Sequence, residues 1–468
     1  MATARIFNHH IHTALYRLVL VDSLLFFGAF YLGVFLYFIP EPESAQRYTT
    51  GAPYGAVIFA VVAIISLFSM GLYQPSMREG ASGILLRTSG AFLLIIVAMS
   101  ATFYFLPDLR LWRGNFFFTI SIAYIACLAS RLAFTRLTDQ EGFKSRVLVY
   151  GAGDAASTIA TAMRRKSDRQ GFTIVGFVRV DDEESKIGNE RLIEAKQPLT
   201  SYVRRMDIDR IVVAIDAESE QTPTEELVEC RLMGIEVVDL ISFFEQEAGK
   251  ILVDFVTPAW LVYSNGFNGS TGSKFAKRCF DVVTSFLLLM ATWPVMLITV
   301  FAIWLEDGFR APLVFRQSRV GQHGKTFQVL KFRSMTVDAE GDGKARWATT
   351  NDSRITRVGN FIRKVRIDEL PQIINVLAGD MAFIGPRPER PEFVQELEEE
   401  IPHYNVRHGV KPGITGWAQL SYPYGASVND ARQKLQFDLY YVKNHNLFLD
   451  FMILLTTVEV VLFGKGAR

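Results

Sequence analysis

Residues Lys274–Leu305 read KFAKRCFDVVTSFLLLMATWPVMLITVFAIWL, and how this stretch meets a bilayer decides the fold of everything after it. From Val282 to Leu305 it is apolar and long enough to span. Basic residues flank it on both sides, Lys274, Lys277 and Arg278 before and Arg310, Arg316 and Arg319 after, so no charge asymmetry drives translocation. Pro294 sits mid-run, where it removes a helix hydrogen bond and predicts a kink. A re-entrant or interfacial helix over about 276–305, broken at Pro294, reconciles these features. A true span is the alternative, and it would put the chain beyond Leu305 on the opposite face from the chain before Lys274.

Upstream, four apolar stretches, Leu15–Ile39, Tyr54–Tyr73, Ile84–Leu106 and Phe116–Ser130, predict a four-span bundle. Arg17, Arg78, Arg87, Arg131 and Arg136 lie on one side of these spans, whereas the 40–53 loop carries Glu41, Glu43 and a lone Arg47. The 107–114 loop is mixed, with Arg110 and Arg113. The balance places both ends of the bundle in the cytosol. Asp22, inside the first span, is expected to snorkel toward water at the cytosolic end. Half of the 468 residues are hydrophobic and mean hydropathy is +0.19, in keeping with a membrane protein. Three scattered cysteines suggest neither a disulfide framework nor a zinc site. The net charge of +1 gives no reason to expect a nucleic-acid partner, but cations crowd the segment Arg316–Arg366, where a local field can serve phosphates.

From Arg146 the pattern changes. Strand-like runs at Arg146–Tyr150, Thr173–Val178, Arg210–Ile215 and Ile235–Leu240 alternate with helical segments, which predicts an α/β parallel sheet. The turn Gly151-Ala152-Gly153-Asp154 resembles a dinucleotide fingerprint, yet Ala156 stands where a third glycine belongs, and Asp181 and Asp182 fall late for a ribose ligand. A degenerate, structural Rossmann-like domain is the reading. The expected organisation is therefore a bundle at 1–140, this α/β domain at 141–263, a linker at 264–273 and an α+β catalytic domain at 274–468. The last apolar run, Leu447–Phe463, is expected along the membrane surface.

In the last domain, Arg363-Lys364-Val365-Arg366-Ile367-Asp368-Glu369-Leu370-Pro371-Gln372 sets two carboxylates directly after three cations. Alone it reads as a solvated charged helix. Carboxylates beside cations can also hold a divalent metal and a phosphate together, and one kept ionised by arginine can attack phosphorus.

This half resembles the bacterial sugar transferase family, the monotopic polyprenyl-phosphate glycosyl-1-phosphate transferases. The motifs are Lys277-Arg278-x-Phe280-Asp281, Phe315-Arg316-Gln317-x-Arg319-Val320-Gly321, Lys331-Phe332-Arg333-Ser334-Met335, the Asp368-Glu369 segment, Asn375 to Met381, Gly385-Pro386-Arg387-Pro388 and Lys411 to Gln419. The first half resembles the four-span and Rossmann-like portion of the larger members, which prime exopolysaccharide or O-antigen assembly. The resemblance implies transfer of a sugar-1-phosphate from a nucleotide sugar, UDP by family habit, to undecaprenyl phosphate, with release of UMP. It implies a phosphosugar-aspartate intermediate on Asp368, with Glu369 as metal or acid–base partner and Mg²⁺ held by Asp368 or Glu369. Arg363 and Arg387 are then phosphate or nucleotide ligands, and Arg316, Arg319, Lys331 and Arg333 form the basic approach. Lys277, Arg278 and Asp281 would meet lipid phosphate at the interface. The implied setting is the bacterial inner membrane with the catalytic domain on the cytoplasmic face; a homodimer and other polysaccharide-assembly proteins are the protein partners it admits.

Two positions depart from the family pattern: Trp293, where a serine often precedes the proline, and Arg366, where a small polar residue is common. Two rival readings are weaker. A nucleotide-sugar dehydratase or epimerase needs Tyr-x-x-x-Lys, and none of the 16 tyrosines has lysine four residues on. An inactive scaffold has no need of Asp368-Glu369.

Overall fold

The structure, a computed structural model, describes residues 3–6, 9–40, 52–73, 81–109, 111–138, 144–163, 169, 171–180, 185–188, 191–194, 197–216, 224–267, 270–308, 312–336, 354–423, 425 and 427–463. Glu41, Glu43, Arg47, Arg78, Arg110, Asp181, Asp182 and Arg310 lie outside the described residues. The chain forms two compact units, Met1–Ile6 with His10–Ala248, and Phe7–His9 with Gly249–Arg468. Residues 249–263 thus join the second unit, ahead of the 264–273 linker. There Ile251 N–H donates to the Gln436 carbonyl at 2.9 Å, and the His403 ring meets the Val256 carbonyl at 3.2 Å.

In the first unit a short sheet of β1 (Thr3–Ile6) and β2 (His9–His12) precedes helices α1 (Thr13–Tyr37), α2 (Ala52–Ser69), α3 (Ala81–Phe105) and α4 (Arg113–Thr138). Helix α1 packs on α2 and α4, and α3 packs on both α2 and α4, which closes the bundle. Leu20, Leu24, Leu32 and Phe35 on α1, and Leu86, Leu93 and Val97 on α3, face outward, as lipid-facing positions require. Helices α1, α3 and α4 are long and apolar enough to cross a membrane, while the apolar part of α2 is shorter, Pro53–Ser69.

Asp22 does not snorkel. It is 0% exposed. Its carboxylate accepts from Arg131 Nη2 at 2.7 Å and Tyr73 Oη at 2.7 Å, and from Ser130 Oγ at 2.9 Å. The cause is the length of α4, which continues past Ser130 and so carries Arg131 into the bundle as a counter-charge. A buried carboxylate with a hydrogen-bonded cation beside it no longer needs water.

The same unit contains a five-stranded parallel sheet of order β5-β4-β3-β6-β7, with β3 at Ser145–Tyr150, β4 at Phe172–Arg179, β5 at Leu192–Glu194, β6 at Arg210–Val213 and β7 at Glu236–Asp239. Helices α5 (Asp154–Ala162), α6 (Leu199–Arg205), α7 (Thr224–Leu232) and α8 (Leu240–Ala248) alternate with these strands. Val147, Leu148 and Val149 are all 0% exposed, as expected of a central parallel strand covered on both faces. The doubly wound order is that of a Rossmann-like domain.

The second unit is α+β. After α9 (Pro258–Tyr263) comes α10 (Thr271–Asp307), which begins at an N-cap where Ser270 Oγ accepts from Ser273 N–H. Pro294 lies inside α10 and does not end it. An antiparallel hairpin of β8 (Val314–Val320) and β9 (Thr326–Phe332) comes next, then α11 (Arg357–Lys364), a 3-10 turn (Ile367–Glu369) and α12 (Gln372–Ala378). A parallel pair, β10 (Ala382–Ile384) and β11 (Gly413–Thr415), encloses α13 (Pro391–Glu400); α14 (Trp417–Ser421), α15 (Val428–Asn444) and α16 (Leu447–Phe463) complete the unit.

Both ends of α10 are tied to this unit. Near its start, Arg278 donates to the last carbonyls of α12, Val376 at 2.6 Å and Leu377 at 2.7 Å. Asp281 accepts from Phe383 N–H on β10 at 3.0 Å. Near its end, Glu306 accepts from the first amide of α11, Arg357 N–H, at 2.8 Å, and Ile303 packs with Phe332 and Ile362. Between these anchors Phe286, Leu287, Met290, Trp293, Leu297, Ile298 and Phe301 are exposed. The expected surface helix α16 is in part internal: Leu449, Asp450 and Ile453 are buried, and Asp450 pairs with Lys277 at 2.9 Å.

Candidate active site

The Asp368-Glu369 pair does not ride on a solvated helix. Helix α11 stops at Val365, Arg366 takes a left-handed conformation with φ 58°, and the carboxylates come next on the 3-10 turn. The cost of that φ at a non-glycine residue is about 1 kcal/mol or more. Both Asp368 and Glu369 are buried, 8% and 9% exposed. The two carboxylates of the run that looked solvated are folded inward, while Lys364 stays exposed.

The two carboxylates are in unlike settings. Glu369 Oε1 accepts from Arg387 Nη2 at 2.6 Å and from Lys331 Nζ at 3.0 Å, and Oε2 lies 3.5 Å from Arg366 Nη1. No hydrogen bond or ion pair reaches the Asp368 carboxylate among the described residues. Burial pushes the Glu369 carboxyl upward, but Arg387, Lys331 and Arg366 outweigh it and hold it well below the usual carboxylate range. Burial, with Glu369 beside it, pushes Asp368 up against the pull of Lys331, Arg363 and Arg387. Low-pKa character was expected of the nucleophile; the cations give it to its neighbour instead. Paired titratable groups driven apart in this way are a signature of divided roles.

Each cation is positioned by the fold. Lys331 lies opposite Phe315 in the hairpin, on the same face as Arg319, which is opposite Phe327. The side chain of Asn375 on α12 works as a strand edge, accepting from Leu330 N–H at 3.0 Å and donating to the Gln328 carbonyl at 2.8 Å. That pair of bonds sets the height of Lys331 against Glu369. Burial lowers the Lys331 pKa, against the raising effect of Glu369.

Arg387 stands between two prolines after β10. The approach of β10 to β11 leaves no room for side chains there: a Cβ on Gly385 would collide with the Lys411 carbonyl, and one on Gly413 with Gly385 N. Arg407 then holds the loop from behind, donating from Nη2 to the Arg387 carbonyl at 2.9 Å while pairing with Asp438 at 2.7 Å. From the hairpin side Arg319 Nη1 donates to the Pro388 carbonyl at 3.2 Å. Burial lowers the pKa of Arg319, although Glu389 opposes this.

The remaining sequence candidates are spread more widely. Arg363, on the last turn of α11, is half-buried and within electrostatic reach of Asp368. Arg316 is exposed on the opposite face of the hairpin from Lys331 and Arg319. Arg333 is buried just past β9. Lys277, Arg278 and Asp281, expected against lipid phosphate, are spent on protein groups: Lys277 reaches Asp281 at 3.0 Å, Asp450 at 2.9 Å and the Ile384 carbonyl at 3.2 Å. Their motif anchors α10. Trp417 is likewise internal, its Nε1–H donating to the Gly249 carbonyl at 2.8 Å. Asn375, Arg407 and Asp438 carry positions that the sequence did not single out as functional; an arginine between two histidines gave no signal of a buried pair.

The donor set suits Mg²⁺ of the kind that binds through one or two carboxylates and takes its other ligands from phosphate oxygens and water. Among the described residues, both Asp368 oxygens are unengaged and Glu369 Oε2 has only the longer Arg366 contact. No group of three His, Cys, Asp or Glu converges among the described residues, so the phosphates would have to complete the shell.

Fold and site together define a membrane protein whose last domain holds an acidic pair inside a ring of cations. Residues 272–464 match the family model described as bacterial sugar transferase, and residues 69–231 match one described as a CoA-binding domain. The chain is 30% identical over 365 residues to a UDP-glucose:undecaprenyl-phosphate glucose-1-phosphate transferase of Escherichia coli, covering 77% of each chain. It is 42% identical over 242 residues to a UDP-N-acetylgalactosamine-undecaprenyl-phosphate N-acetylgalactosaminephosphotransferase of Aeromonas hydrophila, 52% of this chain and 56% of that one. Against an undecaprenyl-phosphate glucose phosphotransferase of Komagataeibacter xylinus it is 31% identical, over 75% of this chain and 65% of that one. The match therefore spans between about half and three quarters of these relatives' lengths. The chain belongs to the bacterial sugar transferase family.

Proposed function

We propose that the chain transfers a sugar-1-phosphate from a nucleotide diphosphate sugar to undecaprenyl phosphate, as the priming step of exopolysaccharide or O-antigen synthesis. The observation that carries this reading is the contrast within one turn: an unengaged, buried Asp368 carboxylate beside a Glu369 clamped by Lys331 and Arg387. Asp368 Oδ attacks the sugar-bearing phosphorus, a new P–O bond forms, and the bond to the nucleoside monophosphate breaks with its electron pair leaving on that product. With a UDP-sugar the product is UMP. An oxygen of the lipid phosphate then attacks the same phosphorus and frees the Asp368 carboxylate. One site thereby serves a soluble donor and a lipid acceptor in turn. Arg387 and Arg363 hold phosphate oxygens, and Lys331 keeps Glu369 ionised beside them. Mg²⁺, held by Asp368 and Glu369 Oε2, would neutralise charge on the pyrophosphate. The relatives' names give glucose and N-acetylgalactosamine as sugars, so the family kinship supports the transfer without choosing between donors.

Helix α10 supports a re-entrant placement for this chemistry. From Arg278 to Glu306 a straight helix would rise about 42 Å, more than the ~30 Å hydrocarbon core. Yet both residues bond to one short segment, α11 to α12. A helix that dips in and returns allows this with the domain on one face, which we take to be the cytoplasmic face of the bacterial inner membrane. The test supplies purified protein with undecaprenyl phosphate, Mg²⁺ and a panel of UDP-sugars and measures UMP. One donor should yield UMP; release from none would refute the proposal.

A further inference from the structure

The Gly151-Ala152-Gly153-Asp154 turn lies where a doubly wound sheet receives nucleotide phosphates, at the carboxyl ends of the two central strands where the strand order reverses. In this sheet those strands are β3 and β6. The phosphate would sit on the free amides of the following helix, α5. Two of those amides are already taken. Asp216, three residues past β6, accepts from Asp154 N–H at 2.9 Å through one carboxylate oxygen and from Ala155 N–H at 2.8 Å through the other.

The surrounding groups close the seat further. Gly151, at φ 128°, makes room for the chain itself, since a Cβ there would collide with the Ala214 carbonyl. Lys186 N–H donates to the Ala152 carbonyl at 2.9 Å, drawing the segment after β4 across the turn. The Lys186 ammonium, at the rim of the turn, is paired at 2.6 Å with Asp154. An arriving pyrophosphate would meet two carboxylates, Asp216 on the amides and Asp154 at the rim, and would have to displace one of them. Both oppose an anion by charge.

We propose that Asp216 is a built-in substitute for the phosphate, and that the α/β domain accordingly takes neither coenzyme A nor a dinucleotide at this turn. The residues present do not fit the ligand named in the family model that matches 69–231. The carboxylate also does what the ligand does elsewhere, satisfying amides of α5 and joining the two strands at the switch point.

Calorimetric titration of the full chain in nanodiscs, with coenzyme A, NAD⁺ and inorganic pyrophosphate as probes, tests this. The wild type should show no saturable binding up to about 1 mM probe, a free energy weaker than roughly 4 kcal/mol. Asp216→Ala should gain pyrophosphate binding at least tenfold, and Asp216→Asn, which keeps the shape and removes the charge, should gain it in smaller measure. Asp154→Asn, which lifts the rim charge but leaves the plug in place, should gain less than Asp216→Asn. Should the alanine variant fail to fold, the Asn variant reads the same point. Micromolar binding of coenzyme A or NAD⁺ by the wild type overturns the proposal, as does an equal gain in Asp154→Asn and Asp216→Asn or no gain in either Asp216 variant.

Discussion

Arg387 Nη2 donates to Glu369 Oε1 at 2.6 Å, joining a loop between two prolines to the turn that carries the acidic pair. The bond fixes one carboxylate and, by contrast, leaves its neighbour Asp368 available. Glu369→Gln would strand Lys331 and Arg387 without their counter-charge. A loss of about 2 kcal/mol is expected, less than for a fully buried pair because Arg387 is about a third exposed. Since the folded pKa of Glu369 is depressed, its contribution is present above the unfolded value of about 4.3 and fades as pH falls through the folded one. The Tm gap between wild type and variant should therefore be widest near neutrality and narrow below about pH 4.

Asp368 carries the opposite sign. A carboxyl whose folded pKa is raised contributes stability below the unfolded value of about 3.9 and loses it as pH rises through the folded one. At neutral pH the ionised form is a cost to the fold. Asp368→Asn should abolish transfer and yet raise stability by about 1 kcal/mol, read as a higher Tm at pH 7. An inactive variant that is also less stable would remove the case for a strained, desolvated nucleophile.

Asn375→Ala deletes both side-chain bonds to the β9 backbone. Unfolding should become easier by about 1–3 kcal/mol. Because Lys331 is set by that strand, kcat should fall by more than tenfold with little change in KM for the donor, which steady-state kinetics would separate.

In the bundle, Asp22→Asn leaves Arg131 buried without its counter-charge, at a cost of about 3 kcal/mol. The double variant Asp22→Asn/Arg131→Met should recover most of the loss. Thermal unfolding of the nanodisc-held protein would show this; additive losses would mean that the pair is not coupled.

Cysteines at Lys274 and Lys325, in a background lacking the three native ones, report the course of α10. Both positions are exposed and flank the apolar stretch. An impermeant maleimide should reach both from the cytoplasmic side and neither from outside. Opposite-sided labelling would mean a true span.

The legible parts of this molecule were those with a strong period or an ordered motif. Four apolar stretches foretold α1 to α3 to within a few residues and α4 all but its last eight, Arg131–Thr138, and the strand runs gave β3, β4, β6 and β7. The three-residue β5, Leu192–Glu194, offers too little pattern to be read. Charge partners were harder, because a pair is made by packing and sequence shows only its halves. Asp22 was read alone, since its partner Arg131 is 109 residues away. Lys277 and Arg278 were placed at the interface by the family resemblance, but Asp450 and the end of α12 reach them first. The acidic pair was legible as a motif, and the unlike settings of its two members were only partly so. Which of them the cations grip depends on the left-handed Arg366 and the turn after it.

A covalent phosphosugar at Asp368 is the central claim. Incubation with the preferred UDP-sugar and Mg²⁺ in the absence of undecaprenyl phosphate, and then intact-protein and peptide mass spectrometry, measures it. The expected result is one sugar-phosphate adduct per chain on the Asp368 peptide, formed with UMP and discharged when the lipid phosphate is added. UMP release at the wild-type rate by Asp368→Asn, or an adduct on another residue, would contradict it.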